Sequence, residues 1–210
     1  MNIFALDQDP KAAAQMHLDK HVIKMLTEYE QILSTAHRVL DGDKVQLVLN
    51  NRKRNTFVFK HETINIIEKN GRQILDLQPC TCYISTHVNH PSAKWARETK
   101  ENYSWLVELT KYLHEEFEYR YGKQHGAKRI FEFLRNPPSN IVSKTLTPFA
   151  QAMPDEYQNE NDPVAAYRAF YLGSKKRFAV WTKRPVPSWF AEGLEPGESI
   201  VDFQRVSKSN

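Results

Sequence analysis

Apolar residues recur at helical spacing along much of the chain, and the clearest example lies near the N-terminus. From Asp9 to about Leu40 they form a stripe that suits burial against a core. Asp9 is a good N-cap residue and Pro10 is favoured in the first helical turn, so the pattern predicts one long helix over this segment. The apolar stripe consists of Leu18, Val22, Met25, Tyr29, Ile32, Leu33 and Ala36.

The same segment carries a second stripe that is polar. At helical spacing it aligns imidazoles, ammonium groups and one carboxylate over several turns, as a site for an anionic substrate requires. An ordinary solvated face, with Glu28 simply paired to Lys24, is the alternative interpretation. The polar stripe consists of His17, Lys20, His21, Lys24, Glu28 and Gln31.

Most other segments predict helices or irregular chain. The stretch at 56–77 is ambiguous, because its apolar spacing fits a helix from about Glu62 to Lys69 with Gly71 as the stop. Few stretches alternate in the manner of half-buried strands. The remaining predictions are an extended lead-in at 2–8, a loop or weak hairpin at 43–55, a second long helix at 91–121, and helices at 127–134 and 163–178.

These patterns predict a mainly α protein: a compact helical domain with two long helices and irregular loops. A chain of 210 residues can bury one good core and is short for two domains. We therefore expect a single globular domain over residues 1–190, followed by a loosely held C-terminal tail at 191–210.

Composition narrows the class of protein. The net charge of +4 is mild, so binding of a polyanion would need local clustering of charge. Cys80 and Cys82 are too close in sequence for an easy disulfide, and reduced thiols are usual in the cytosol. With no long apolar run and no signal-peptide pattern, we expect a cytoplasmic protein without a membrane span.

Several basic positions suit contacts with nucleic acid. The densest run is Arg52, Lys53 and Arg54, although most such runs are merely solvated. Aromatic and basic residues alternate near the end of the second long helix, in a pattern that suits nucleic acid but also occurs where tyrosines cover a core. The further candidates for nucleic-acid contacts are His90, Arg120, Lys123 and Arg168. His90 begins a predicted helix together with Pro91. Arg168 is near the basic residues Lys175, Lys176 and Arg177 in the sequence.

A metal site is conceivable but not favoured. His17 and His21 have a spacing that can chelate one ion, and His87 and His90 form a second close pair. Lys20 and Lys24 flank the first pair, and their charge favours an anion over a dication. No Gly-rich phosphate loop or nucleophile elbow is present. We therefore expect no metal and no cofactor.

Two stretches resemble a known family. D-K-H-V-I-K-M-L-T-E-Y-E-Q-I-L at 19–33 and N-H-P-S-A-K-W at 89–95 are similar to phage and bacterial proteins related to the pyrimidine-dimer DNA glycosylases of the endonuclease V type. The resemblance covers about the first 40 residues and 86–122. Y-R-A-F-Y and W-T-K-R-P-V-P-S-W-F are also similar to phage members of the group.

The resemblance implies a compact, mainly helical protein that binds damaged or modified duplex DNA and cuts the glycosidic bond of a pyrimidine, with or without a following lyase step. We expect the protein to be a monomer. In that family an N-terminal α-amine is the nucleophile and a glutamate of the first long helix assists it. Glu28 is the best match here, with Glu30 as the alternative. Lys20 and Lys24 would grip phosphates, with His17 and His21 beside them.

One departure leaves the nucleophile open. Position 2 is Asn, a residue bulky enough that Met1 is expected to be retained. The Met1 amine, Lys20 or Lys24, or an activated water are the alternatives. The alternative functions are a non-catalytic phage DNA-binding protein and a metal-dependent nuclease or nucleotide-modifying enzyme.

Overall fold

A computed structural model describes residues 2–198 of the chain. In this part of the chain, seven α-helices and four β-strands occur. The helices are α1 (Pro10–Met16), α2 (Asp19–Asp41), α3 (Pro91–Ala96), α4 (Lys100–Tyr121), α5 (Lys128–Leu134), α6 (Pro163–Phe170) and α7 (Ser188–Glu192). The strands are β1 (Asp43–Leu49), β2 (Arg52–Val58), β3 (Thr63–Lys69) and β4 (Arg72–Gln78). No helix within 2–198 combines the length and the apolar character needed to cross a bilayer.

The prediction of a mainly α fold is wrong. Helices account for 45% of the structure, and the strands add two antiparallel two-stranded sheets, β1 with β2 and β3 with β4. The protein is therefore an α+β mixture. We call residues 43–78, which contain both sheets, the hairpin pair.

Each hairpin closes through two residues in the left-handed region. Asn50 and Asn51 have φ of 50° and 62°, and Asn70 and Gly71 have φ of 53° and 69°. Two left-handed residues between antiparallel strands are the requirement of a type I′ turn, for which Asn-Gly is the preferred dipeptide. The helix predicted from Glu62 to Lys69 is therefore wrong, and the loop or weak hairpin at 43–55 is part of a regular hairpin.

The first predicted long helix is broken into α1 and α2 at His17 and Leu18. Asp9 caps α1 as expected, its side chain accepting from Ala12 N at 2.7 Å. His17 is extended, with ψ of 130°. Side chains from distant segments bind the carbonyl groups at this end of α1: Arg120 donates to the carbonyls of Gln15 and His17, and Trp181 to that of Met16.

The other long predictions are also interrupted. Arg97 to Thr99 separate α3 from α4, where the Thr99 hydroxyl accepts from Asn102 N and begins a new helix. The helix predicted at 163–178 ends at Phe170 and continues as a π turn, Tyr171–Lys175, and a short 3₁₀ turn, Lys176–Phe178. The helix predicted at 127–134 corresponds to α5.

The main core surrounds α2, which packs against α3, α4 and α5. Residues 2–6 are buried beside it, and the Tyr29 hydroxyl of α2 accepts from Phe4 N at 3.2 Å. The core also includes Phe190 of α7. In the predicted tail, Glu198 accepts a 2.6 Å hydrogen bond from Lys176 Nζ, and the rest of that tail, 199–210, lies outside the described residues.

Arg38 joins α2 to the hairpin pair. Its guanidinium is fully buried and forms two hydrogen bonds to Glu62, at 2.7 and 2.8 Å. It also donates to the carbonyls of Phe57, Tyr83 and Cys82. The hairpin pair has a small cluster of its own, formed by Leu49, Val58, Leu75 and Leu77.

Candidate functional site

The carboxylate of the predicted polar stripe lies at the edge of the protein surface. Glu28 Oε1 is 3.0 Å from Lys24 Nζ, one helical turn earlier on α2. The Glu28 side chain is 15% exposed and that of Lys24 is 69% exposed. A partly buried carboxylate that is still open to solvent can meet a substrate while the adjoining ammonium attracts an anion.

His90 lies near this carboxylate, at the start of α3. Its Nδ1 accepts from Ser92 N at 3.2 Å, which makes His90 the N-cap of this helix. The half-buried position lowers the pKa of His90, and the Glu28 carboxylate acts in the opposite direction. Because Nδ1 is an acceptor in this cap, the neutral ring carries its proton on Nε2 and can donate there.

A cationic surface continues from Lys24 onto the turns that follow α6. Lys20 Nζ lies 4.1 Å from the centre of the Phe178 ring, and the Arg177 guanidinium lies 4.7 Å from the same ring. Lys175 Nζ lies 4.5 Å from the Phe170 ring. Burial lowers the pKa of Lys175, and the charges of Arg177 and Lys24 lower it further. We call Lys20, Lys24, Lys175 and Arg177 the cationic surface.

The sequence marked Lys175 and Arg177 as basic but did not connect them with Glu28. The π turn at Tyr171–Lys175 changes the helical phase by which the faces of 163–178 would be predicted. Apart from the alternation of aromatic and basic residues, no local signal indicates that this segment lies against α2.

His17 and His21, which the sequence placed beside the phosphate-binding lysines, do not belong to the cationic surface, because both side chains are buried. His17 Nδ1 donates to the Ala13 carbonyl at 2.7 Å, and its Nε2 lies 2.7 Å from the Tyr29 hydroxyl. The His21 ring stacks on Phe4 at 4.2 Å. Burial lowers the pKa of His17 to about 4 and that of His21 to about 2, so both rings are neutral at pH 7.

Two arginines predicted to bind nucleic acid have contacts within the protein. Arg120 is buried, and besides the carbonyls at the end of α1 it binds Glu116 at 2.6 Å and Asp19 at 2.8 Å. Arg168 donates to the Leu6 carbonyl and to Asp7, at 2.9 and 3.0 Å. These contacts hold the N-terminal segments and α1 in place, and phosphate contacts by these two arginines stay a prediction.

The remaining candidates lie at other positions. Lys123 is exposed in the loop after α4, beside a cleft that contains His125. Arg52, Lys53 and Arg54 are exposed on β2 and line a groove of the hairpin pair. Glu30, the alternative carboxylate, is fully buried against His114. The Met1 amine, one of the alternative nucleophiles, lies outside the described residues.

The structure also bears on the metal alternative. His17 and His21 have a ring separation of 6.5 Å between centroids and bind tyrosine hydroxyls. Over residues 2–198, no group of three or more His, Cys, Asp or Glu side chains is arranged to hold a metal ion.

Comparisons with known proteins give no family to which this site can be assigned. The sequence matches no protein-family model and no curated protein, and the structure matches no solved structure.

Proposed function

We propose that the protein is a base-excision enzyme, a DNA glycosylase that acts on a damaged or modified pyrimidine in duplex DNA. The observation that carries the proposal is the position of Glu28: a partly exposed carboxylate next to Lys24, near His90 and beside the cationic surface. Glycosidic bond cleavage needs a carboxylate beside a sugar that becomes cationic, within a surface that holds the flanking phosphates.

Each group has a role in this proposal. The nucleotide is extruded from the helix toward α2, as enzymes that act on bases in duplex DNA require. The Glu28 carboxylate stabilises the positive charge that develops on the sugar as the bond from C1′ to the base breaks. His90 Nε2–H can donate to the departing base, which takes up the electron pair of that bond.

The cationic surface supplies the contacts to the backbone. Lys20 and Lys24 neutralise phosphates on either side of the extruded nucleotide, and Lys175 and Arg177 extend the same field. Phe170 and Phe178 lie under these cations and fix their positions through cation–π contacts.

The nucleophile at C1′ is a water molecule or an amine, and the products distinguish the two. Water leaves an abasic site whose strand breaks only in hot alkali. An amine forms a Schiff base, which borohydride reduces to a covalent complex and which can lead to strand cleavage without alkali. We propose that the enzyme acts as a monomer in the cytoplasm, which for a phage protein is that of the host.

The test is strand breakage of ultraviolet-irradiated duplex DNA, with and without hot alkali, by wild type and by E28Q. We expect wild type to produce strand breaks. E28Q should still bind DNA but should produce no breaks. E132Q is the matched control, because Glu132 of α5 forms an exposed pair with Arg135, which follows the helix, at 3.1 Å. It should cleave like wild type.

Absence of breaks from wild type in every lane would reject excision of pyrimidine dimers. The same comparison on duplexes with other modified pyrimidines would then decide whether the protein excises a base at all. Binding that is equal in wild type and E28Q, without base release from any of these duplexes, would indicate the non-catalytic DNA-binding protein.

A further inference from the structure

The hairpin pair contains a groove that is separate from the Glu28 site. It lies between the turn of the first hairpin and the start of β4 and has a volume of about 660 Å³. Among the described residues that line it there are four exposed cations and no carboxylate; the cations are Arg52, Lys53, Arg54 and Arg72.

The strand register explains why arginines face this groove. Residues directly opposite each other in an antiparallel pair point to the same side of the sheet. Arg52 is opposite Leu49, and Arg54 is opposite Leu47, so both arginines share the side that carries the small apolar cluster. Along β2 this side is buried at Val58 and cationic at Arg54 and Arg52.

The two hairpins are held together at the groove. Asn50 N donates to Gln73 Oε1 at 2.9 Å, Asn50 Nδ2 donates to the Gln73 carbonyl at 2.8 Å, and Gln73 N donates to Asn50 Oδ1 at 2.9 Å. These bonds keep Arg72 next to the cations of β2 despite their mutual repulsion. A preformed cluster of like charges is the arrangement that an anionic ligand stabilises.

We propose that this groove binds the sugar–phosphate backbone of DNA, as a second contact outside the Glu28 site. Arginine forks match phosphate oxygens in two-point hydrogen bonds, and three of the four cations are arginines. The choice of DNA as the polyanion rests on the proposed function, whereas the charge and shape of the groove do not depend on it.

The test is the salt dependence of binding to an undamaged, fluorescently labelled duplex, followed by anisotropy. We expect R52A/R54A/R72A to flatten the slope of log K against log salt by about 2.7, at about 0.9 for each lost phosphate contact. If the affinities converge at 1 M salt, affinity at 0.1 M salt should fall about 500-fold. The single variants R52A and R72A, on different hairpins, should each flatten the slope by about 0.9.

The matched control removes three exposed lysines that do not line the groove, K44A/K60A/K144A. We expect it to keep most of the wild-type slope. If the control loses as much slope as R52A/R54A/R72A, or if the single variants keep the wild-type slope, the groove proposal is overturned. The single variants decide the matter if the triple variant fails a circular-dichroism check of folding.

Failure of the groove proposal can be distinguished from failure of the glycosylase proposal. Base release without any change in binding by the groove variants would overturn the groove alone. Loss of binding by the groove variants, from a protein that releases no base, would leave the groove in place and reject the glycosylase.

Discussion

Glu30 Oε1 lies 2.8 Å from His114 Nε2, and both side chains are buried where α2 packs against α4. Among the described residues, Glu30 Oε2 and His114 Nδ1 are buried without a hydrogen-bond partner. Burial raises the pKa of Glu30 to about 8 and lowers that of His114 to about 4. Between these values the pair holds one proton in the native state.

The pair predicts a loss of stability in mild alkali. The unfolded chain has a Glu pKa of 4.5 and a His pKa of 6.5, so above pH 6.5 it has released the proton that the native pair keeps. Relative to a variant without the Glu30 carboxyl, the free energy of unfolding of wild type should therefore fall by about 2 kcal/mol between pH 6.5 and pH 8. Below pH 6.5 the opposite shifts of Glu30 and His114 largely cancel.

Urea unfolding of wild type and E30Q at pH 6.5 and pH 8 measures this effect. The amide of E30Q keeps a donor near His114 and does not titrate, so the free energy of unfolding of wild type should fall relative to that of E30Q between the two pH values. An equal change in both proteins would show that the proton is held by another group.

The buried ion pair of Arg38 and Glu62 predicts a large effect of a single substitution. E62Q leaves the buried guanidinium without its counter-charge and should lower the free energy of unfolding by about 3–5 kcal/mol. E132Q breaks the exposed pair with Arg135 and should lower it by less than about 1 kcal/mol. Urea denaturation of the two variants tests this, and similar losses would contradict it.

Replacement by alanine should have different effects on stability at two glycines, Gly71 in the turn of the second hairpin and Gly126 in the loop before α5. Gly71 has φ of +69° and open space where the Cβ of an alanine would lie, so G71A should cost about 1 kcal/mol through backbone conformation alone. Gly126 has equally open space and does not lie in the left-handed region, so G126A should be neutral or slightly stabilising. Thermal unfolding compares them, and equal melting temperatures would refute the assignment.

The cationic surface predicts how DNA affinity responds to salt. K20A and K24A should each flatten the slope of log K against log salt by about 0.9, one phosphate contact apiece. K44A removes an exposed lysine of β1 and should leave the slope close to that of wild type. An affinity that does not depend on salt would count against phosphate contacts by these lysines.

Local signals in the sequence predicted local structure. The N-cap at Asp9, the start of α3 at His90 and Pro91, and the extent of α5 follow from side-chain chemistry within a few residues. Gly71 was misinterpreted for a physical reason: a left-handed glycine ends a helix and also completes a type I′ turn. The preceding Asn70 was the available signal for the turn.

Interruptions of a helix that depend on residues far away in the sequence were not predictable from local signals. Nothing between Asp9 and Leu40 indicates that Arg120 and Trp181 bind the carbonyl groups at the end of α1. The same holds for His17, whose ring lies in the core because the break directs it toward Tyr29. For the candidate site, the sequence identified Glu28 and Lys24, while the positions of Lys175 and Arg177 beside α2 depend on tertiary packing.

The Arg38 network has a mechanical consequence. Arg38 is ten residues after Glu28, or about 15 Å along the axis of the same helix. Its guanidinium fastens the base of the hairpin pair to α2 through Glu62 and the Phe57 carbonyl. A single buried side chain therefore anchors the hairpin pair to the helix that bears the carboxylate.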